Sequence, residues 1–171
     1  MEGDEDSFAR LYEISSRRVF QYLCRLTHNQ AMAEDILLDT YTEVWRSARK
    51  FRGYSRVLTW ITGIARNLTL NEFRRRKMIE CEIDEEIASP PGQFSECANA
   101  EISQLLEKAL DRLPAKQREA LDLLFMQGMR YEDISRIMDI PVNTVKTRVF
   151  YAKEKLKNIL ALMGVKRSDL F

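Results

Sequence analysis

One stretch near the middle divides the chain. Between positions 78 and 101 lie seven acidic side chains and no basic one, together with Ser89-Pro90-Pro91-Gly92. Two successive prolines do not sit inside a helix, because each lacks the backbone donor and clashes with the turn before it. The composition there is that of a linker. The chain is therefore predicted to fold as two small units, 1–77 and 101–171, joined by a linker at 78–100. At about 3.3 Å per residue such a linker reaches roughly 75 Å when extended, and about 25 Å as a flexible coil.

Charge is sorted along the sequence although its total is close to zero. The formal net charge of the 171 residues is +1, yet residues 1–45 carry a net −5, 46–77 a net +9, 78–101 a net −7 and 102–171 a net +4. Two basic blocks with an acidic spacer point to two polyanion-binding surfaces, although charge runs also occur as plain solvated faces. With 45% apolar and 31% charged residues, the chain has the balance of a folded globular protein. No apolar run approaches the roughly 20 residues needed to span a bilayer, so membrane insertion is not expected. The acidic start, MEGDEDSFAR, is unlike a secretory signal. Cys24, Cys81 and Cys97 are too few and too scattered for a disulfide framework, and the only histidine, His28, has no cysteine near it. Reduced thiols, a cytoplasmic protein and no metal or other cofactor are the expectation.

Outside the linker, apolar residues recur at three- and four-residue steps, which predicts helices throughout. In the first half the stripes are Phe8, Leu11, Tyr12, Val19, Leu23 and Leu26; then Leu37, Thr40, Tyr41, Val44 and Ala48; then Val57, Ile61, Ile64, Ala65 and Leu68. In the second half they are Ile102, Leu105, Leu106, Ala109, Leu110 and Leu113, followed by Ala120, Leu121, Leu124 and Phe125 between Pro114 and Gly128. A short stripe of Ile134, Ile137 and Met138 precedes a long one of Val145, Val149, Ala152, Leu156 and Ile159. The expected fold is all-α.

The most specific local pattern is a short helix (YEDISRIM), a tight Asp139-Ile140-Pro141 connection and a longer basic helix (VNTVKTRVFYAKEKLK). This is a helix-turn-helix, whose second helix enters a DNA major groove with its N-terminal residues towards base edges. With Val145, Val149, Ala152 and Leu156 turned inward, a helical wheel places Asn143, Lys146, Thr147, Phe150 and Tyr151 outward and Arg148 on the flank. Asn can read adenine, Lys and Arg can read guanine or hold phosphate, and a large apolar Phe150 suits a thymine methyl or a sugar.

The basic block of the first half differs in kind. Arg56, Trp60, Gly63, Asn67, Asn71 and Arg74 fall along one stripe opposite Ile61, Ile64 and Leu68. The preceding loop adds Arg52 and Tyr54, and the helix ends in Arg74-Arg75-Arg76-Lys77. Aromatic, amide and cationic groups interleaved in this way suit unpaired bases, which they can stack on and hydrogen-bond while holding phosphates. On the helix before it, Asp35, Asp39 and Thr42 point outward with Leu38 and Glu43 on the flanks. Carboxylates beside a nucleic-acid surface repel phosphate, so this face suits either a protein with a basic patch or, as ordinary surface acidity, plain solvent.

Four segments together, AEDILLDTYTEVWR at 33–46, TWITGIARNLTLNEFRRRK at 59–77, LDRLPAKQREALDLLFMQGMRYEDIS at 110–135 and IPVNTVKTRVFYAKEKL at 140–156, make the chain resemble an extracytoplasmic-function sigma factor of bacterial RNA polymerase. The resemblance runs from about Phe8 to Leu160. It implies an N-terminal domain that binds the polymerase clamp and captures the melted minus-ten element, and a C-terminal helix-turn-helix that reads the minus-thirty-five element. By position it places Asp35, Asp39 and Trp45 in the clamp-binding helix, Trp45 mainly structural, and the outward face makes Asp35, Leu38, Asp39, Thr42 and Glu43 the candidate clamp contacts. It places Tyr54, Trp60, Asn67 and Asn71 in the minus-ten loop and helix, to which the basic stripe adds Arg52, Arg56, Arg74 and Arg75 as candidate contacts. It places Asn143, Thr144, Lys146, Thr147 and Arg148 in the minus-thirty-five recognition helix, to which the helical wheel adds Phe150 and Tyr151 as candidate contacts. The partners it implies are core RNA polymerase, promoter DNA as duplex and melted strand, and an anti-sigma factor. Two features depart from the family's habit: Leu38, where a glutamine is frequent, and the pair Thr62-Gly63, where an aromatic-basic pair is frequent.

Two other classes compete. A sigma-like mimic would sequester an anti-sigma factor without binding DNA, but should have lost the cations that Lys146, Arg148 and the Arg74 to Lys77 run retain. An enzyme acting on nucleic acid would need a phosphate-binding glycine loop, a carboxylate cluster or a nucleophile beside a base, and the basic surfaces show none.

Overall fold

The computed structural model describes residues 4–80 and 100–165, with side chains at 4–78 and 105–165. Pro90, Pro91, Cys81, Cys97 and the side chain of Ile102 lie outside them. The described residues form helices and no strand, in two compact units, Met1–Gly92 and Gln93–Phe171.

The first unit packs α1 (Glu5–Thr27), α2 (Gln30–Ser47) and α3 (Val57–Glu80) pairwise against one another. The Asp4 side chain caps α1 by accepting from the Ser7 amide at 3.1 Å, and Asn29 caps α2 from the Met32 amide at 2.9 Å. Each satisfies an amide that the first helical turn leaves without a partner. Between them His28 takes a left-handed conformation, φ 52°, and its amide closes α1 on the Cys24 carbonyl at 2.9 Å. Val19, Tyr22 and Leu23 of α1, Met32, Ala33, Ile36 and Val44 of α2, and Ile61 and Ala65 of α3 are buried where the three helices pack. A polar contact joins α1 to α2 within this core: the Ser15 and Tyr41 hydroxyls meet at 2.6 Å. Ala48 leaves the expected stripe, because α2 tightens into a 3₁₀ turn at Ala48–Lys50 that stands exposed. Val57 and Tyr12 are also partly outside the core, at 38% exposure each; Val57 opens its helix at the rim.

The second unit contains α4 (Ala100–Asp111), α5 (Ala115–Leu121), α6 (Tyr131–Met138) and α7 (Val142–Leu162), with α7 as the element on which the other three pack. Pro114 and Pro141 stand at the N-caps of α5 and α7, where a missing amide donor costs nothing. Asp139, at φ 53°, turns the chain from α6 into α7, and the Ile140 amide bonds the Ser135 carbonyl at 3.2 Å. Asp is among the few non-glycine residues that tolerate this left-handed conformation.

After α5 the helix does not continue in α-register. Residues Asp122–Met126 form a π turn, marked by the Gln127 amide bonding the Asp122 carbonyl at 3.0 Å, and Gly128 at φ 54° ends it. A π turn inserts one residue into the helical repeat and rotates everything beyond it by about 100°. Phe125 is therefore not in the core stripe expected for it: it is 59% exposed, while Leu123 takes the buried place.

Candidate nucleic-acid interface

On α2 the structure leaves Asp35, Leu38, Asp39, Thr42 and Glu43 all exposed, opposite buried Ile36, Thr40 and Val44. The Thr42 hydroxyl donates to the Leu38 carbonyl of its own helix at 2.9 Å, so the face is made by three carboxylates and an apolar Leu38 that is 63% exposed. Trp45 does two things. Its ring packs edge-on against Phe8 at 5.0 Å, tying α1 to α2, and it still shows 42% of its surface.

The basic stripe lies on α3 and the loop before it. Arg52, Tyr54, Arg56, Asn67, Asn71, Arg74 and Arg75 are exposed. Trp60 is half-buried, with its ring tilted by 35° over Phe51 at 4.9 Å. Phe51 thus holds the indole, an arrangement that only the fold shows. Of the departing pair, Thr62 is buried and cannot face a ligand, whereas at Gly63 a side chain would meet nothing within 4 Å.

Three guanidiniums towards the end of α3 are tied down within the helix. Arg74 Nη1 donates to Asn71 Oδ1 at 3.0 Å. Arg75 grips Glu72 with two bonds, Nε to Oε2 and Nη2 to Oε1, both 2.8 Å, and Arg76 Nε adds a third at 2.8 Å to Oε1. These donors favour the charged carboxylate and pull Glu72 down to about 2, the Arg75 bonds most of all; the same contact raises Arg75.

In the second unit the outward face of α7 carries Asn143, Thr144, Lys146, Thr147, Phe150 and Tyr151, all exposed, while Val145, Val149 and Ala152 are buried. Arg148 is half-buried with Nη1 3.9 Å from Met138 Sδ, so its stem lies along the end of α6. The Thr147 hydroxyl donates to the Asn143 carbonyl at 2.9 Å, and the Phe150 and Tyr151 rings meet edge-on at 5.5 Å. An open cleft joins Asn143, Thr144, Thr147 and Arg148 to Pro114, Lys116 and Gln117 at the start of α5. Lys116 and Gln117 went unnoticed in the sequence, where nothing local shows that α5 packs its first turn against the first turn of α7.

Among the described residues no group of three or more His, Cys, Asp or Glu could hold a metal ion, and no helix is long and apolar enough to cross a membrane. Cys24 is a buried thiol, pushed up to about 11 by its burial.

Residues 11–78 match the family model of sigma-70 region 2, and residues 100–156 match that of sigma-70 region 4, in the order expected for one protein. The chain belongs to the extracytoplasmic-function sigma factors. The ECF RNA polymerase sigma factor SigW of Bacillus subtilis is 28% identical over 171 aligned residues, covering 92% of this chain and 91% of the relative. The ECF RNA polymerase sigma-E factor of Haemophilus influenzae is 28% identical over 169, covering 92% and 89%. Among solved structures, the sigma factor RpoE in complex with the anti-sigma factor NepR from Bartonella quintana superposes with a TM-score of 0.75 at 28% identity, covering 91% of this chain and 97% of that one. This ECF sigma factor directs promoter-specific transcription by RNA polymerase, and sigma factors are not enzymes.

Proposed function

We propose that the work is divided by residue as follows. The acidic face of α2, with Asp35, Leu38, Asp39, Thr42 and Glu43, docks a basic patch on the polymerase clamp, and the stripe of α3 with Arg52, Tyr54 and Arg56 receives the melted minus-ten strand. The exposed face of α7 reads the minus-thirty-five duplex, with Lys116 and Gln117 at the edge of the same surface. Residues 1–77 and 101–171 act as the two domains and 78–100 as the linker between them. The protein works in the cytoplasm without catalytic chemistry or cofactor of its own, and an anti-sigma factor holds it until it is needed.

The observation that carries this reading is α7. Its inner face is apolar, with Val145, Val149, Ala152, Ile159 and Leu160 buried, its first two turns expose only groups able to meet bases or phosphates, and the tight Asp139 turn sets it behind α6. Run-off transcription with core polymerase and genomic fragments tests it. Discrete transcripts that depend on this protein, sharing an upstream element, are expected. Transcription no different from core enzyme alone would leave only the mimic.

A further inference from the structure

The π turn brings two residues together that the sequence keeps apart. It turns Phe125 out of the core, and the Lys153 ammonium sits over the ring, 5.0 Å from its centroid. Lys153 lies seven residues beyond Lys146 on α7, hence on the same face and about 10 Å further along the axis. The major groove is about 12 Å wide. When Lys146 meets base edges, a cation that far along the same face meets the sugar-phosphate wall.

We propose that Phe125 is a positioning residue for promoter binding: its ring holds Lys153 extended towards a backbone phosphate flanking the upstream element. A lysine stem loses considerable rotamer freedom on forming a contact. A ring that fixes it beforehand, without neutralising its charge as a carboxylate would, leaves the full cation for the phosphate. The proposal rests on α7 being the promoter-reading helix.

The test is the affinity of reconstituted holoenzyme for a promoter duplex, measured across a salt series. Lys153→Ala should lower the slope of log affinity against log salt by about 1. Phe125→Ala should weaken binding about two- to fivefold, the size of an exposed cation–π contact, and Phe125→Trp should restore it where Phe125→Leu does not. In a Lys153→Ala background, Phe125→Ala should cost nothing further. A loss that persists there would mean that Phe125 only supports the domain, and no loss from Phe125→Ala would mean that the ring does not position the lysine; either result overturns the inference. Lys146→Ala and Arg148→Ala separate this from the parent reading. If they too are silent, α7 does not read the promoter; if they act while Phe125 and Lys153 do not, this inference alone fails.

Discussion

Helices α3 and α7 hold some of their cations in opposite ways. On α3 the guanidiniums are gripped by polar partners of their own helix, Asn71 for Arg74 and Glu72 for Arg75 and Arg76. On α7 two cations lie against soft apolar groups, Arg148 on the Met138 sulfur and Lys153 on the Phe125 ring. The first unit also separates its charge between helices, acid on α2 and base on α3, while the second carries most of the groups proposed to read DNA on one helix, α7. A polar grip neutralises charge and leaves a surface that must exchange partners to bind phosphate. An apolar rest positions a cation and leaves its charge whole. The first arrangement suits a strand that arrives after melting, the second a duplex met from solution.

The largest expected effect breaks the division of charge within the first unit. Reversing Asp35 and Asp39 to Lys should weaken core-polymerase binding tenfold or more, since like charges brought together across an interface cost several kcal/mol. Both side chains are exposed, so folding should be unchanged. Pull-down with core enzyme reads this, and undiminished retention removes the clamp assignment.

Next comes the α3 stripe. Asn67→Ala and Trp60→Ala should reduce open-complex formation more than duplex binding, Trp60→Ala by the roughly 1–3 kcal/mol of a base-stacking contact. Permanganate reactivity of melted thymines reports it. Because Phe51 packs on Trp60, a thermal melt of the Trp60 variant separates lost stacking from lost support. Normal reactivity in both variants would end the comparison on the first side.

The recognition helix should divide reading from holding. Lys146 is exposed and Arg148 half-buried along Met138, so Lys146→Ala should change preference at one upstream position, by about 1–3 kcal/mol for a lost bidentate contact. Arg148→Ala should weaken all sequences alike and lower the salt slope by about 1. Transcription from a library of upstream elements distinguishes the two. Unchanged profiles would show that this helix is not the reader.

The smallest effect sharpens the contrast most directly. Glu72→Gln should free Arg75 and Arg76 from their carboxylate and steepen the salt dependence of single-strand binding. The folded carboxyl is held near 2, below its ordinary 4.5, so its ion pairs stabilise the fold fully above about pH 4.5 and are lost as pH falls towards 2. Acid titration of helicity should therefore show less loss across that window in the Gln variant. Identical salt slopes in the two proteins would mean that the grip on α3 does not restrain its cations.

Much of this molecule was legible in one dimension. Helical periodicity reports which side of each helix is apolar, and so the exposed faces of α2 and α7 could be drawn residue by residue before any packing was known. The turn at Asp139-Ile140-Pro141 and the sorting of charge are equally local, since a proline or a charge run acts where it stands. The grip of Glu72 on Arg75 and Arg76 was in principle legible too, being a contact between neighbours three and four residues apart.

What only the tertiary structure decided depends on register and on distant neighbours. Phe125 sits at a helical spacing that predicts burial, and one extra residue in a π turn moves it to the surface and Leu123 to the core. Periodicity assumes a constant repeat and cannot sense that insertion. Trp60 resting on Phe51, Lys116 and Gln117 joining Thr144 and Arg148, and Lys153 over Phe125 are likewise choices of packing. Each pairs residues from different helices or loops, and which ones meet is settled by how the apolar faces interlock, not by the order of the residues that carry them.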